Sequence, residues 1–258
     1  MSRDVLDQYL DAAHAALDAI AATQLGPIRL AADRFARTIL AGRLVHVFGT
    51  GHSRMTVEEV FPRYGSFPGF HPIVELSMTF HNPVVGANGQ RQAMFLENVQ
   101  GFGPVLWRNF ATNPGDVLLA ISTSGCNAVT VDVAVEAKRL GMFVVALTSL
   151  PHSGASTSKH ESGRKLADVA DLVIDQCAPA GDSAVWVEGL ETPVSPISSV
   201  SGCAVVNLVK AEVARLLTEA GHPPLVLTAA CHVGRERAGE LFEATYDDYR
   251  RRVGVLYR

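Results

Sequence analysis

The stretch VLLAISTSGCNAVTVDVAVEAKRLG, Val117 to Gly141, decides the fold. Its first five residues form a continuous apolar run, which fits a central strand buried on both faces. Ser122-Thr123-Ser124-Gly125 interrupts the run. From Ala128 to Leu140 the apolar residues recur at helical spacing, and Gly141 supplies the stop. Ser124 or Asn127 can serve as a helix cap. Capping accounts for one polar side chain, not for three hydroxyls in a row at a buried strand end. A helix N-terminus carries unpaired N–H groups and partial positive charge, and hydroxyls beside it add neutral donors. The loop therefore reads as an anion site that needs no basic side chain.

Upstream, VHVFGTGHSRM, Val45 to Met55, has the same design. Leu44–Phe48 reads as a strand and Arg54–Tyr64 as a helix, with Thr50, Gly51 and Ser53 in the turn between them. The dinucleotide fingerprint G-x-G-x-x-G fails here: Gly49 and Gly51 fit, but Arg54 stands at the third glycine position. Glu75 lies too far downstream for the acid that would hold the ribose. In an open α/β sheet, ligands sit outside the carboxyl ends of the strands, so both loops are expected at one edge.

The rest of the chain continues the alternation. Residues 3–24 carry apolar positions at helical spacing, Gly26-Pro27 breaks that helix, and a second runs from Pro27 to about Leu40. Short strands are expected at Pro72–Leu76, Phe143–Leu147 and Leu172–Asp175. A long apolar helix is expected at Gly202–Ala220, and a solvated amphipathic one near the end in ERAGELFEATYDDYRRRV. The pattern predicts an α/β fold with a doubly wound parallel sheet, preceded by an N-terminal helical hairpin over residues 1–43. The hairpin is read as packing on the main domain, residues 44–258, or on a second subunit. Phe80–Gly103 and the Gly/Pro/Ser-rich Ala178–Ser201 resist assignment, and long loops in compact domains are often functional.

Composition narrows the function classes. The formal net charge is −4 and charged residues make up 19%, which leaves no electrostatic footprint for nucleic acid. The start MSRDVLDQYL is charged early and is not read as a signal peptide, and no apolar run approaches membrane-spanning length. Cys126, Cys177, Cys203 and Cys231 include no C-x-x-C pair and read as free thiols of a reducing cytoplasm.

FGTGHS followed by AISTSGCNAVTVDVAVEAKRLGMFVVALTS resembles the sugar isomerase (SIS) domain, whose hallmark is a G-x-G-x-S turn and then a strand ending in S-x-S-G-x-[NST]. LADVADLVID fits the same family. TPVSPISSVSGCAVVNLVKAEVARLL and GFHPIVE resemble stretches of arabinose 5-phosphate isomerases. Whole-chain likeness is greatest to compact phosphoheptose isomerase-like SIS proteins. The resemblance implies a five-stranded doubly wound sheet, a homodimer or homotetramer with sites near subunit boundaries, and a sugar phosphate as ligand. By motif position it puts the phosphate on Thr50, Gly51, Ser53, Ser122, Thr123, Ser124 and Asn127, and the sugar end beside Ser198 and Ser199. Two positions depart from relatives. Val194 stands where glucosamine-6-phosphate synthases carry a glutamate, and His52 replaces the lysine of arabinose 5-phosphate isomerases.

Aldose–ketose isomerisation through an enediolate needs a base at carbon, an acid–base group to open the ring, and donors at the oxygen that gains charge. It needs no cofactor. Some phosphoheptose isomerases use zinc, but no His/Cys/Glu spacing here argues for a metal. Glu97, in RQAMFLENVQGFG, and Glu75 are the candidate bases, with Glu191 behind them. Each Glu can equally be a solvated carboxylate. His52 is read as a ligand contact whose charged form a phosphate favours. His232 is the candidate shuttle, reaching a neighbouring subunit, while His71 and His81 are weaker. Two other readings stay open: a phosphosugar-binding regulatory protein without turnover, and an etherase or lyase acting on N-acetylmuramic acid 6-phosphate.

Overall fold

The computed structural model describes residues 4–79 and 89–257, so His81 lies outside the described residues. Helices α1 (Val5–Thr23) and α2 (Leu25–Leu40) meet at Gln24. The break falls just ahead of Gly26-Pro27, because a proline ring clashes with the carbonyl four positions back in an unbroken helix. Gln24 is useful there: its Oε1 accepts from the Asp175 amide at 2.9 Å and fixes the helix joint to the sheet.

Strand β1 (Val45–Gly49) leads through a 3-10 turn (Gly51–Ser53) into α3 (Arg54–Val60). That helix stops short of Tyr64. Phe61 precedes Pro62, which disfavours the helical region, and it adopts extended backbone at φ −61°, ψ 149°. Strand β2 is Phe70–Pro72, earlier than expected, and Pro72 closes it opposite Val47. Glu75 therefore does not end the strand. Its carboxylate accepts from the Met78 amide at 2.9 Å and starts α4 (Leu76–Thr79), so its side chain is a cap.

Helices α5 (Gly89–Leu96) and α6 (Phe102–Trp107) occupy the described part of the first unassigned segment. There follow β3 (Val117–Ile121), α7 (Ala128–Arg139), β4 (Phe143–Thr148), the short α8 (Leu150–Gly154) and α9 (Leu166–Val169), and β5 (Leu172–Asp175). The second unassigned segment is a hairpin of β6 (Ser183–Val185) and β7 (Val194–Pro196). The chain ends with α10 (Ser198–Glu219), α11 (Ala230–Val233), α12 (Arg235–Val253) and a 3-10 turn at Gly254–Tyr257.

The main sheet has five strands, all parallel, in the order β2-β1-β3-β4-β5. Alternate residues of the central strands feed two cores. Val117, Leu119 and Ile121 pack with Phe35 of α2 and Val205 and Val209 of α10. Leu118 and Ala120 pack with Trp107 of α6 and Val131 and Ala134 of α7. Gly103 lets α6 lie directly on α7, since a Cβ there would meet the Val133 nitrogen at 2.5 Å. No helix among the described residues is long and apolar enough to cross a membrane.

The amino end of the sheet is closed by a buried polar network. Asp116, fully buried, accepts from Arg43 Nε at 2.8 Å and Nη2 at 2.9 Å, from the Asn113 amide at 2.9 Å, and faces His46 Nε2 at 3.4 Å. Burial alone would raise its pKa, but the hydrogen bonds from His46 and Arg43 outweigh that and hold it at about 2. His71 lies next to His46 across the strand pair, and its Nδ1 sits 3.2 Å from the Tyr249 hydroxyl of α12. Burial, and then the neighbouring His46, lower the His71 pKa to about 4.

Candidate functional site

The strand order reverses between β1 and β3, and a crevice outside the carboxyl ends of the strands at such a point is where open α/β sheets bind ligands. Here Gly49 and Ile121 pair at those ends. A cleft of about 660 Å³ opens above them. Thr50, Gly51, His52 and Ser53 line it from the first loop, and Ser122, Thr123, Ser124 and Asn127 from the second. Glu97, Ser198 and Ser199 complete the sequence-expected residues that it gathers. Glu75, Glu191, His71 and His232 do not line it. His232 is exposed on α11, Glu191 is exposed in the hairpin, and His71 belongs to the network at the other end of the sheet.

The second loop is shaped by its own hydrogen bonds. Ser122 Oγ accepts from the Gly125 amide at 3.1 Å, and Ser124 Oγ accepts from the Cys126 amide at 3.3 Å. Both oxygens are used as acceptors, so both hydroxyl protons remain to be donated. Gly125 holds φ +63°, and a Cβ there would meet Thr148 Oγ1 at 3.1 Å, so the turn requires glycine. Asn127 stands at the N-cap of α7, yet its side chain makes no capping bond. Its Nδ2 instead donates to Glu97 Oε2 at 2.7 Å.

Glu97 is fixed by both loops. Its carbonyl accepts from the Val129 amide in the first turn of α7 at 3.0 Å. Its Oε1 lies 3.1 Å from where a Cβ of Gly51 would stand, and Gly51 has φ +54°. The glycine in the first turn thus clears room for the carboxylate as well as bending the chain.

The opposite side of the cleft holds residues that sequence reasoning missed. Asp182, at φ +63°, accepts from the Ser198 amide at 2.8 Å, from Ser198 Oγ at 2.6 Å and from the Ile197 amide at 3.1 Å. The N-terminus of α10 is therefore already occupied by a carboxylate, and the Ser198 hydroxyl is turned to it. His152 enters from α8, and its Nδ1 accepts from the Gly181 amide at 3.0 Å. Gln176 is 2% exposed, and its amide nitrogen finds no hydrogen-bond partner among the described residues. No Lys or Arg is among the described residues lining the cleft. An anion bound there would rest on hydroxyls, amides and the first turn of α7. No group of three or more His, Cys, Asp or Glu among the described residues has metal-holding geometry.

The sequence profile of the SIS domain matches residues 8–149. The chain is 33% identical over 253 residues to a UPF0309 protein of Geobacillus thermodenitrificans, covering 98% of each chain. It is 30% identical over 253 residues to a UPF0309 protein of Listeria innocua, again covering 98% of each. In structure it is similar to a phosphoheptose isomerase from Francisella tularensis, with a TM-score of 0.53 and 18% identity over 83% of this chain and 98% of that one. A likeness at that identity is one of fold.

Proposed function

The chain belongs to the SIS domain family, and from that premise we propose that it is a phosphosugar aldose–ketose isomerase working through an enediolate. The observation that carries this reading is the placement of Glu97, whose carboxylate accepts from Asn127 of one loop and occupies the space left open by Gly51 of the other. A ligand whose phosphate rests on the hydroxyls of these loops brings its carbon chain within reach of that base.

In the proposed reaction Glu97 takes the proton from C2 of the open-chain aldose. The C–H pair becomes the C1–C2 double bond, and the carbonyl π pair moves onto O1. Glu97 then returns the proton to C1 while the O2 hydroxyl proton passes to O1, leaving the ketose. The bond from Asn127 orients the carboxylate and leaves one amide hydrogen of Asn127 for the phosphate.

The test is deuterium exchange at C2 in heavy water across pentose, hexose, heptose and amino-sugar phosphates, run beside thermal-shift binding. At least one sugar phosphate is expected to exchange and to stabilise the protein, with the unphosphorylated sugar doing neither. Glu97→Gln should lower exchange by about 10²–10⁴-fold while keeping the thermal shift. Absence of exchange and turnover with every sugar phosphate defeats the reading. The exposed Leu6 and Leu10 of α1 support a homodimer or homotetramer, which light scattering checks directly.

A further inference from the structure

The isomerase reading leaves one chemical need unassigned, the donor at the oxygen that gains negative charge, and the identity of that donor rests on the same reading. No lysine or arginine among the described residues lines the cleft to supply it. His152 does line it, from the β4 side of the crevice.

The backbone of His152 is fixed at both ends. Ser149 caps α8 by accepting from the His152 amide at 3.1 Å, and the His152 carbonyl accepts from Ser156 Oγ at 2.8 Å. The ring is fixed as well. Its Nδ1 accepts from the Gly181 amide at 3.0 Å. A backbone amide can only donate, so Nδ1 must present a lone pair, and the proton of the neutral ring sits on Nε2. A second proton on Nδ1 would set N–H against N–H and destroy that bond. The bond therefore selects the tautomer of the neutral ring, with Nε2–H as its remaining polar function. Neutral imidazole is a hydrogen-bond donor that does not surrender its proton at ordinary pH. Such a group suits an enediolate oxygen, where a donor must strengthen its bond as charge develops without neutralising the intermediate.

We propose that His152 is the electrophile of the reaction, giving Nε2–H to the substrate carbonyl oxygen as Glu97 removes the carbon-bound proton. In that step the C–H bond breaks, its pair forms the carbon–carbon double bond, and the carbonyl π pair settles on the oxygen bonded to His152. No proton leaves the ring.

Kinetics of His152→Ala and His152→Gln, with folding checked by thermal melting, test the assignment. His152→Ala is expected to lower kcat by about 10²–10³-fold with little change in KM, as removal of an oxyanion donor does. His152→Gln, which can still present an N–H, should recover part of the loss. Nitrogen-15 NMR of the wild-type protein should show Nε2 as the protonated nitrogen of the neutral ring, a readout that does not depend on any variant folding. Wild-type kcat in folded His152→Ala, or a neutral ring protonated on Nδ1 instead, overturns the role of His152 alone. Absence of exchange in the wild type overturns the isomerase reading and this role together.

Discussion

The two ends of the parallel sheet treat polar groups in opposite ways. At the amino end, Arg43 and His46 turn inward to Asp116 and His71 turns to Tyr249, with Asp116 and both histidines shut away from solvent and His46 Nδ1 and His71 Nε2 buried without a hydrogen-bond partner among the described residues. At the carboxyl end, Ser122, Ser124 and Asn127 spend only part of their hydrogen-bonding capacity, on the Gly125 and Cys126 amides and on Glu97, and face open space. A network shut away from a ligand serves the fold. One left partly open above a switch point is available to a ligand. Charge divides the same way, since the amino end uses a formal ion pair and the carboxyl loops use neutral donors.

This contrast can be broken from either side. The largest effect is expected from Asp116→Ala, which strands Arg43 and the Asn113 amide in one step. Removing one partner of a buried pair costs about 3–5 kcal/mol, so urea denaturation should show a loss of that size, with sugar-phosphate affinity unchanged in whatever fraction folds. A stability loss under 1 kcal/mol, on the order of an exposed ion pair, would contradict the buried network.

Acid should act next, and in two stages. His71 stays neutral in the fold down to about 4, whereas its ordinary value is 6.5. Below 6.5 the unfolded chain takes up a proton that the folded chain refuses, so stability falls as the pH drops from 6.5 to 4, by about 3 kcal/mol. Asp116 acts lower down: its contribution is present above its ordinary value of 3.8 and is lost as the pH falls toward about 2. Denaturation curves across this range check both, and His71→Phe should flatten the upper stage.

Ser124→Ala is the smallest change and the converse of Asp116→Ala. A hydrogen bond to a charged group contributes about 1.5–3 kcal/mol, so sugar-phosphate affinity should fall by about 10–100-fold while stability moves by less than about 1 kcal/mol. Calorimetric titration and a thermal melt separate the two. Equal affinity in the variant would remove Ser124 from the anion site.

Legibility in the sequence followed burial. Strand β3 lies where its apolar run puts it, because a strand covered on both faces writes its limits as unbroken hydrophobicity. The β6–β7 hairpin left no such mark: its strands are three residues each, only Val185 is buried, and its loops are rich in Gly, Pro and Ser. Both phosphate-type loops were legible as motifs, since each sits next to its own strand and helix. Glu75 was misread because Pro72 ends its strand early and turns the carboxylate into a cap. His152, Gln176 and Asp182 gave no local signal. Their roles come from long-range partners, such as Gly181 for His152 and Ser198 for Asp182, which no spacing rule links.

Asp182 also gives the cleft a direction. Its carboxylate already fills the positive end of α10, while the start of α7 carries no side-chain cap. In the proposed reading a phosphate is disfavoured beside Asp182, so a ligand with an anionic head and a hydroxylated tail is expected to enter with its head toward the first turn of α7. On that reading the fixed anion works as a polarity key: it would set which carbons of a chain-like substrate come to rest beside Glu97 before any hydroxyl is recognised.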